Sequence, residues 1–141
     1  LISEAVATMA ELTTLTVQLK SGVVPSPLTI AWLQGALLAH YVEISQDFSR
    51  KFHNKESKRI RRVLCENEEF QKIRKSQQIK TIKEADIAAR LSVAEEWEKE
   101  IDAATEYELY KAMLSSLREA MSHCTMVLSL IKNQESNTRN T

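Results

Sequence analysis

Beyond Gly35 the chain contains neither glycine nor proline through to residue 141, and before that only Gly22, Gly35, Pro25 and Pro27. Tight turns between strands draw on those two residue types, so so long a stretch without either leaves strands hard to connect. Alanine, leucine, glutamate, lysine, glutamine and isoleucine dominate instead, and the fold class they imply is all-α. No apolar run approaches the length of a membrane span.

Apolar residues between Tyr110 and Ile131 fall at Tyr110, Leu114, Leu117, Met121, Cys124, Leu128 and Ile131. Steps of four and three alternate without a miss, a period of 3.5 that calls for partner helices packed as in a coiled coil. These seven residues are therefore expected to form an oligomerisation helix. Upstream, residues 2–20 read as a first helix whose threonines (Thr8, Thr13, Thr14, Thr16) make it depend on tertiary packing. Gly22 suits the left-handed position just past its end. Ser26–Pro27 restarts the chain, with serine as N-cap and proline at the first helical position. A second helix over about 27–72 carries Ile30, Leu33, Leu37, Tyr41, Ile44 and Phe48 on one face, with Trp32 and Leu38 off it.

The polar, basic segment Lys72–Lys80 is expected to fray, with a turn near residue 78. Thr81 and Glu84 then fit a capping box opening a third helix over about 82–132, with Ile87, Leu91, Ala94, Trp97, Ile101 and Ala104 facing inward. Residues 133–141 lack apolar side chains and are expected to form a disordered tail. The expectation is one domain over 1–132, an elongated hairpin or bundle of about three helices.

Net charge is zero but segregated. Residues 50–83 carry twelve Lys/Arg against four acids, whereas residues 84–119 carry four against ten. After Phe48 the face of the second helix that was apolar continues as Lys51, Lys55, Lys58 and Arg62, while Phe52, Ile60, Val63 and Phe70 shift the apolar stripe sideways. With Arg59, Phe52 and His53 nearby, this basic stripe suits single-stranded nucleic acid: cations neutralise phosphates and rings stack on bases. The competing reading is internal pairing. In a hairpin turning near residue 78, Lys55, Lys58 and Arg62 would face Ile101, Glu98 and Ala94 among the acids Glu95–Asp102. Both readings stand at this point.

Signals for chemistry are sparse. Two glycines cannot build a phosphate loop, His40, His53 and His123 are scattered, and no HExxH or CxxC spacing occurs. Glu119 and His123 stand one turn apart as an isolated pair. The run Glu95, Glu96, Glu98, Glu100, Asp102 lacks the E-E-x-x-E and E-x-x-D spacing of Mg²⁺-dependent all-α nucleotide hydrolases. No catalytic residue, metal site or cofactor is expected. Cys65 and Cys124 have no partner spacing and fit buried thiols of a cytoplasmic protein without a secretory signal.

The helical stretch Leu37–Lys58 leading into a Lys/Arg-rich segment, followed by EYELYKAMLSSLREAMSHCTMVLSLIK, resembles the phage recombination mediators of the UvsY type over residues 30–132. The resemblance implies a homo-oligomer in the host cytoplasm that binds single-stranded DNA and helps load a RecA-like recombinase in place of a single-strand-binding protein. It implies assembly through the C-terminal helix and DNA contact through the basic segment as a whole. The N-terminal helix and GVVPSP have no counterpart in it. The alternative function is a coiled-coil structural or adaptor protein whose charges set helix register; an all-α enzyme is a third reading.

Overall fold

The computed structural model describes residues 1–76 and 81–139, the side chains up to residue 137. These residues form an all-α protein: α1 (Ile2–Lys20), α2 (Pro27–Lys75), α3 (Ile82–Ser92) and α4 (Ala94–Arg139), with no strand among them. None of the described helices is long and apolar enough to cross a membrane. The expected turn near residue 78 lies outside the described residues.

Helix ends follow local chemistry. At the end of α1, Gly22 takes φ +89, the Val23 amide donates to the Gln18 carbonyl at 2.9 Å, and the Gly22 amide to Leu19 at 3.1 Å. That pair of bonds is a Schellman motif, which satisfies two carbonyls the helix leaves over and requires a left-handed residue. Pro27 is the first residue of α2, as expected. Thr81 caps α3, its hydroxyl accepting from the Glu84 amide at 3.1 Å.

Two expectations about the C-terminal half are corrected. The third helix is two helices, interrupted at Val93, whose φ of −108 and ψ of 28 depart from helical values. No glycine or proline marks the break. Val93 is almost completely buried, its amide still bonds Ala89, and its carbonyl accepts from Trp97 at 3.0 Å, so the kink seats an apolar side chain at little loss of hydrogen bonding. At the far end α4 runs on to Arg139 where a disordered tail is expected from residue 133. Nothing from Asn133 to Arg139 breaks a helix already under way, and extending one is far easier than starting one.

The chain divides into two compact units: Leu1–Asp47 with α4 from Tyr110 onward, and Phe48–Leu109. The first is a three-helix packing of α1 with the adjoining parts of α2 and α4. Its core holds Ala5 and Leu12 of α1, Ile30, Leu33, Leu37 and Ile44 of α2, and Met113, Leu117, Cys124, Val127 and Ile131 of α4. The threonines of α1 contribute to this packing. The hydroxyls of Thr8 and Thr16 lie 3.1 and 2.9 Å from the Glu4 and Leu12 carbonyls, and share hydrogen bonds with Nε2 of His40 at 3.1 Å and of His123 at 2.9 Å.

The second unit is built differently. Among its described residues the buried apolar ones are Ala85, Ala89, Val93 and Ala103, all small or medium-sized. Ile87, Leu91, Ala94 and Ile101, expected to face inward, are exposed. Ala85 and Ala89, one turn apart, give α3 an inner side of little bulk, and the break at Val93 rephases the chain, so that Glu100, Ala103 and Tyr107 take the inner side of α4. Rings and charges fill the space that aliphatic side chains fill in the first unit.

Candidate nucleic-acid interface

The basic stripe lies on the inner side of α2 within the second unit. Lys51 donates to Glu106 at 2.6 Å. Lys55 lies 4.5 Å from the centre of the Tyr107 ring, which stacks on Phe48 at 5.0 Å and leans on Phe52 at 5.9 Å. Arg59 turns along its own helix to Glu56, at 3.0 and 3.1 Å. Lys58 is half-buried and has no ion pair among the described residues.

Arg62 is the most engaged. Its Nε and Nη2 donate to the two Glu100 oxygens at 2.7 and 3.3 Å, its Nη1 to Glu66 at 3.2 Å, and its guanidinium lies 3.9 Å from the centre of the Trp97 ring. The hydrogen bonds it donates to Glu100, which outweigh partial desolvation, push its pKa above an already high usual value. Such a forked pair is the strongest kind available to arginine, and the stacked indole adds to it. Arg90 of α3 reaches Glu66 at 3.3 Å, tying the third helix to the same cluster.

Internal pairing therefore accounts for Lys51 and Arg62, in a register other than the expected one: Arg62 meets Glu100 instead of Ala94. A phosphate approaching either cation would have to displace a carboxylate. Of the six residues expected to bind nucleic acid, Lys58, Arg59 and the outer edge of Phe52 (43% exposed) remain accessible. Exposed Arg61 and His53 line a shallow groove along the outer side of α2 with Ile60 and Leu64.

A second group of cations does not depend on displacing anything. From Phe70 to Lys83 the sequence has no acid and five cations. Of these, Lys72, Arg74 and Lys75 are exposed in the last turn of α2, and Lys83 in the first turn of α3. Lys72 has Glu69 at 3.4 Å; Arg74, Lys75 and Lys83 make no ion pair among the described residues. The cations of α2 suit the negative end of its helix dipole, but Lys83 stands at the positive end of α3, where helix stability favours an acid. The signal for this group was the acid-free interval, which the stripe's helical periodicity overshadowed.

The seven residues expected to assemble copies are placed inside the first unit. Leu117, Cys124 and Ile131 are buried in its core, and Tyr110, Leu114, Met121 and Leu128 pack partly buried against it. The seam's need for partner helices is met by α1 and α2 of the same chain, and an intermolecular role would require opening that core. Burial pushes the Cys124 thiol up, which keeps it protonated. Among the described residues no cluster of three or more His, Cys, Asp or Glu is placed to hold a metal. Comparison of the chain with protein-family models, with curated proteins and with solved structures gives no match.

Proposed function

We propose that this chain is a non-enzymatic, self-associating helical protein that binds single-stranded nucleic acid and acts as a recombination mediator of the UvsY type. In this reading it helps a RecA-like recombinase displace a single-strand-binding protein, in the cytoplasm of a phage-infected host. The observation that carries the reading is the division of positive charge. Part of it is spent on carboxylates and rings inside the second unit, while Arg74, Lys75 and Lys83 stand exposed in a segment without acids. Cations in that state bind phosphate by releasing condensed counterions, without sequence preference. Lys58, Arg59, Arg61 and the edge of Phe52 extend the contact along α2, the ring offering a base a stacking face. Each protomer's contact is modest, and association multiplies it through effective concentration.

A second reading, a helical adaptor without nucleic acid, is favoured by the inward pairing of Lys51 and Arg62, which sets register and needs no ligand. Charge reversal separates the two. The triple variant Arg74→Glu, Lys75→Glu, Lys83→Glu is expected to weaken binding of a fluorescein-labelled single-stranded oligonucleotide at least ~10-fold in anisotropy titrations at low salt. The far-ultraviolet dichroism should stay unchanged. Equal affinity in the variant would remove these residues from the site, and no binding by the wild type would leave the adaptor.

A further inference from the structure

With the α4 seam occupied inside the chain, self-association needs another surface, and the outer side of α2 in the first unit offers one. No Asp, Glu, Lys or Arg occurs between Lys20 and Glu43. A helix without charge on any side is normally covered on all sides. Here only one side is: Ile30, Leu33, Leu37 and Ile44 go into the core, while Leu28 (69% exposed), Trp32 (75%), Leu38 (52%) and Val42 (46%) face out. Gly35 lies in their midst. Mid-helix glycine costs about 1 kcal/mol relative to alanine. A Cβ added there would meet nothing within 4 Å, so nothing in the chain itself calls for it.

We propose that this face is a two-fold interface with a second copy of the chain, two α2 helices crossing antiparallel at Gly35. The exposed residues are arranged symmetrically about that glycine. A two-fold axis there sets Leu28 against Val42 of the second copy, Trp32 against Leu38, and Ala31 against Ala39. Large side chains meet large ones, small ones meet small ones, and the two glycines meet at the axis. Self-complementarity of this kind is what an isologous interface demands, each residue meeting a partner that it meets again on the other side. A groove of about 490 Å³ lined by Ala31, Trp32, Gly35 and Ala36 gives a facing side chain room to seat.

The area is in keeping. Four large side chains exposed to this extent present roughly 500 Å² of apolar surface, at the upper end of what a monomer leaves open. Two such faces reach about the 1,000 Å² at which specific interfaces begin. An uncharged face offers a charged partner nothing to pair with, which also favours a second copy. The proposal rests on the self-association in the function proposed above and is independent of nucleic-acid binding.

The experiment compares masses by analytical ultracentrifugation for the full chain, Gly35→Glu and Gly35→Cys. The wild type should associate with concentration in the micromolar range typical of small interfaces. Gly35→Glu should stay monomeric with unchanged helicity, since its side chain enters open space in the monomer and meets its symmetry mate in the dimer. Gly35→Cys should form a disulfide-linked dimer on mild oxidation, against a wild-type background set by Cys65 and Cys124. If Gly35→Glu associates like the wild type and Gly35→Cys does not cross-link, the interface is elsewhere and self-association still stands. A wild type that stays monomeric throughout overturns this proposal and the self-association together. So does a monomer that floats with phosphatidylcholine vesicles, since the face would then belong to lipid.

Discussion

Truncating Leu117 to alanine is expected to destabilise the first unit by about 3–5 kcal/mol, as buried leucine deletions that leave a cavity do. Leu117 has no exposed surface and sits in the middle of the α4 side of the core, among residues of all three helices. Leu117→Glu should go further and prevent the unit from folding, because a carboxylate there has neither water nor a partner. The measurement is urea unfolding followed by circular dichroism at two protein concentrations. A core position loses the same free energy at both. A position in an intermolecular seam would instead give a folded monomer and a loss that depends on concentration. A well-folded Leu117→Glu monomer would return the seam to an assembly role.

Replacing Arg62 with alanine should cost about 2–4 kcal/mol in the second unit, below the upper range for fully buried pairs because the site retains some solvent. The change removes the cation from the face of Trp97 and leaves Glu66 and Glu100 opposite each other, each less than a fifth exposed. The effect is large for this unit because no large aliphatic side chain among its described residues is fully buried. Arg62→Lys keeps the charge and loses the fork, and should fall in between. Because the folded state raises the Arg62 pKa, its contribution is complete below the unfolded value and is lost only above it, beyond any working alkaline pH. Hydrogen exchange should show faster opening for amides of Phe48–Leu109, with α1 unaffected. Uniform protection in Arg62→Ala would show that the cluster does not hold the unit together.

The helical class was legible because turn residues are missing after Gly35, and three boundaries were legible because Gly22, Pro27 and Thr81 each have one strong local preference. The period of Tyr110–Ile131 was legible as well, but a period states only that partner helices are needed. It does not state whose helices they are, and α1 with α2 supplied them from within the chain. The interruption at Val93 had no marker, since burial of that side chain rather than backbone chemistry decides it. Once the chain is rephased there, periodicity assigns the wrong side of α4, which is why Ile101 was expected inside and Glu100 was not. Inward pairing of the stripe was legible as one of two readings, but its register was not: the break at Val93 moves the acidic neighbours, so Arg62 meets Glu100 where Ala94 was expected.

The central claim is that charge left over after this internal pairing binds the backbone of single-stranded nucleic acid. Salt dependence tests it most directly, using wild-type protein and a labelled single-stranded oligonucleotide across about 50–200 mM salt. Contact of three to four phosphates per protomer should give a slope of log affinity against log salt of about −2 to −3. A flat response, or no binding at the lowest salt, would contradict the claim and leave a helical protein whose charges serve its own register.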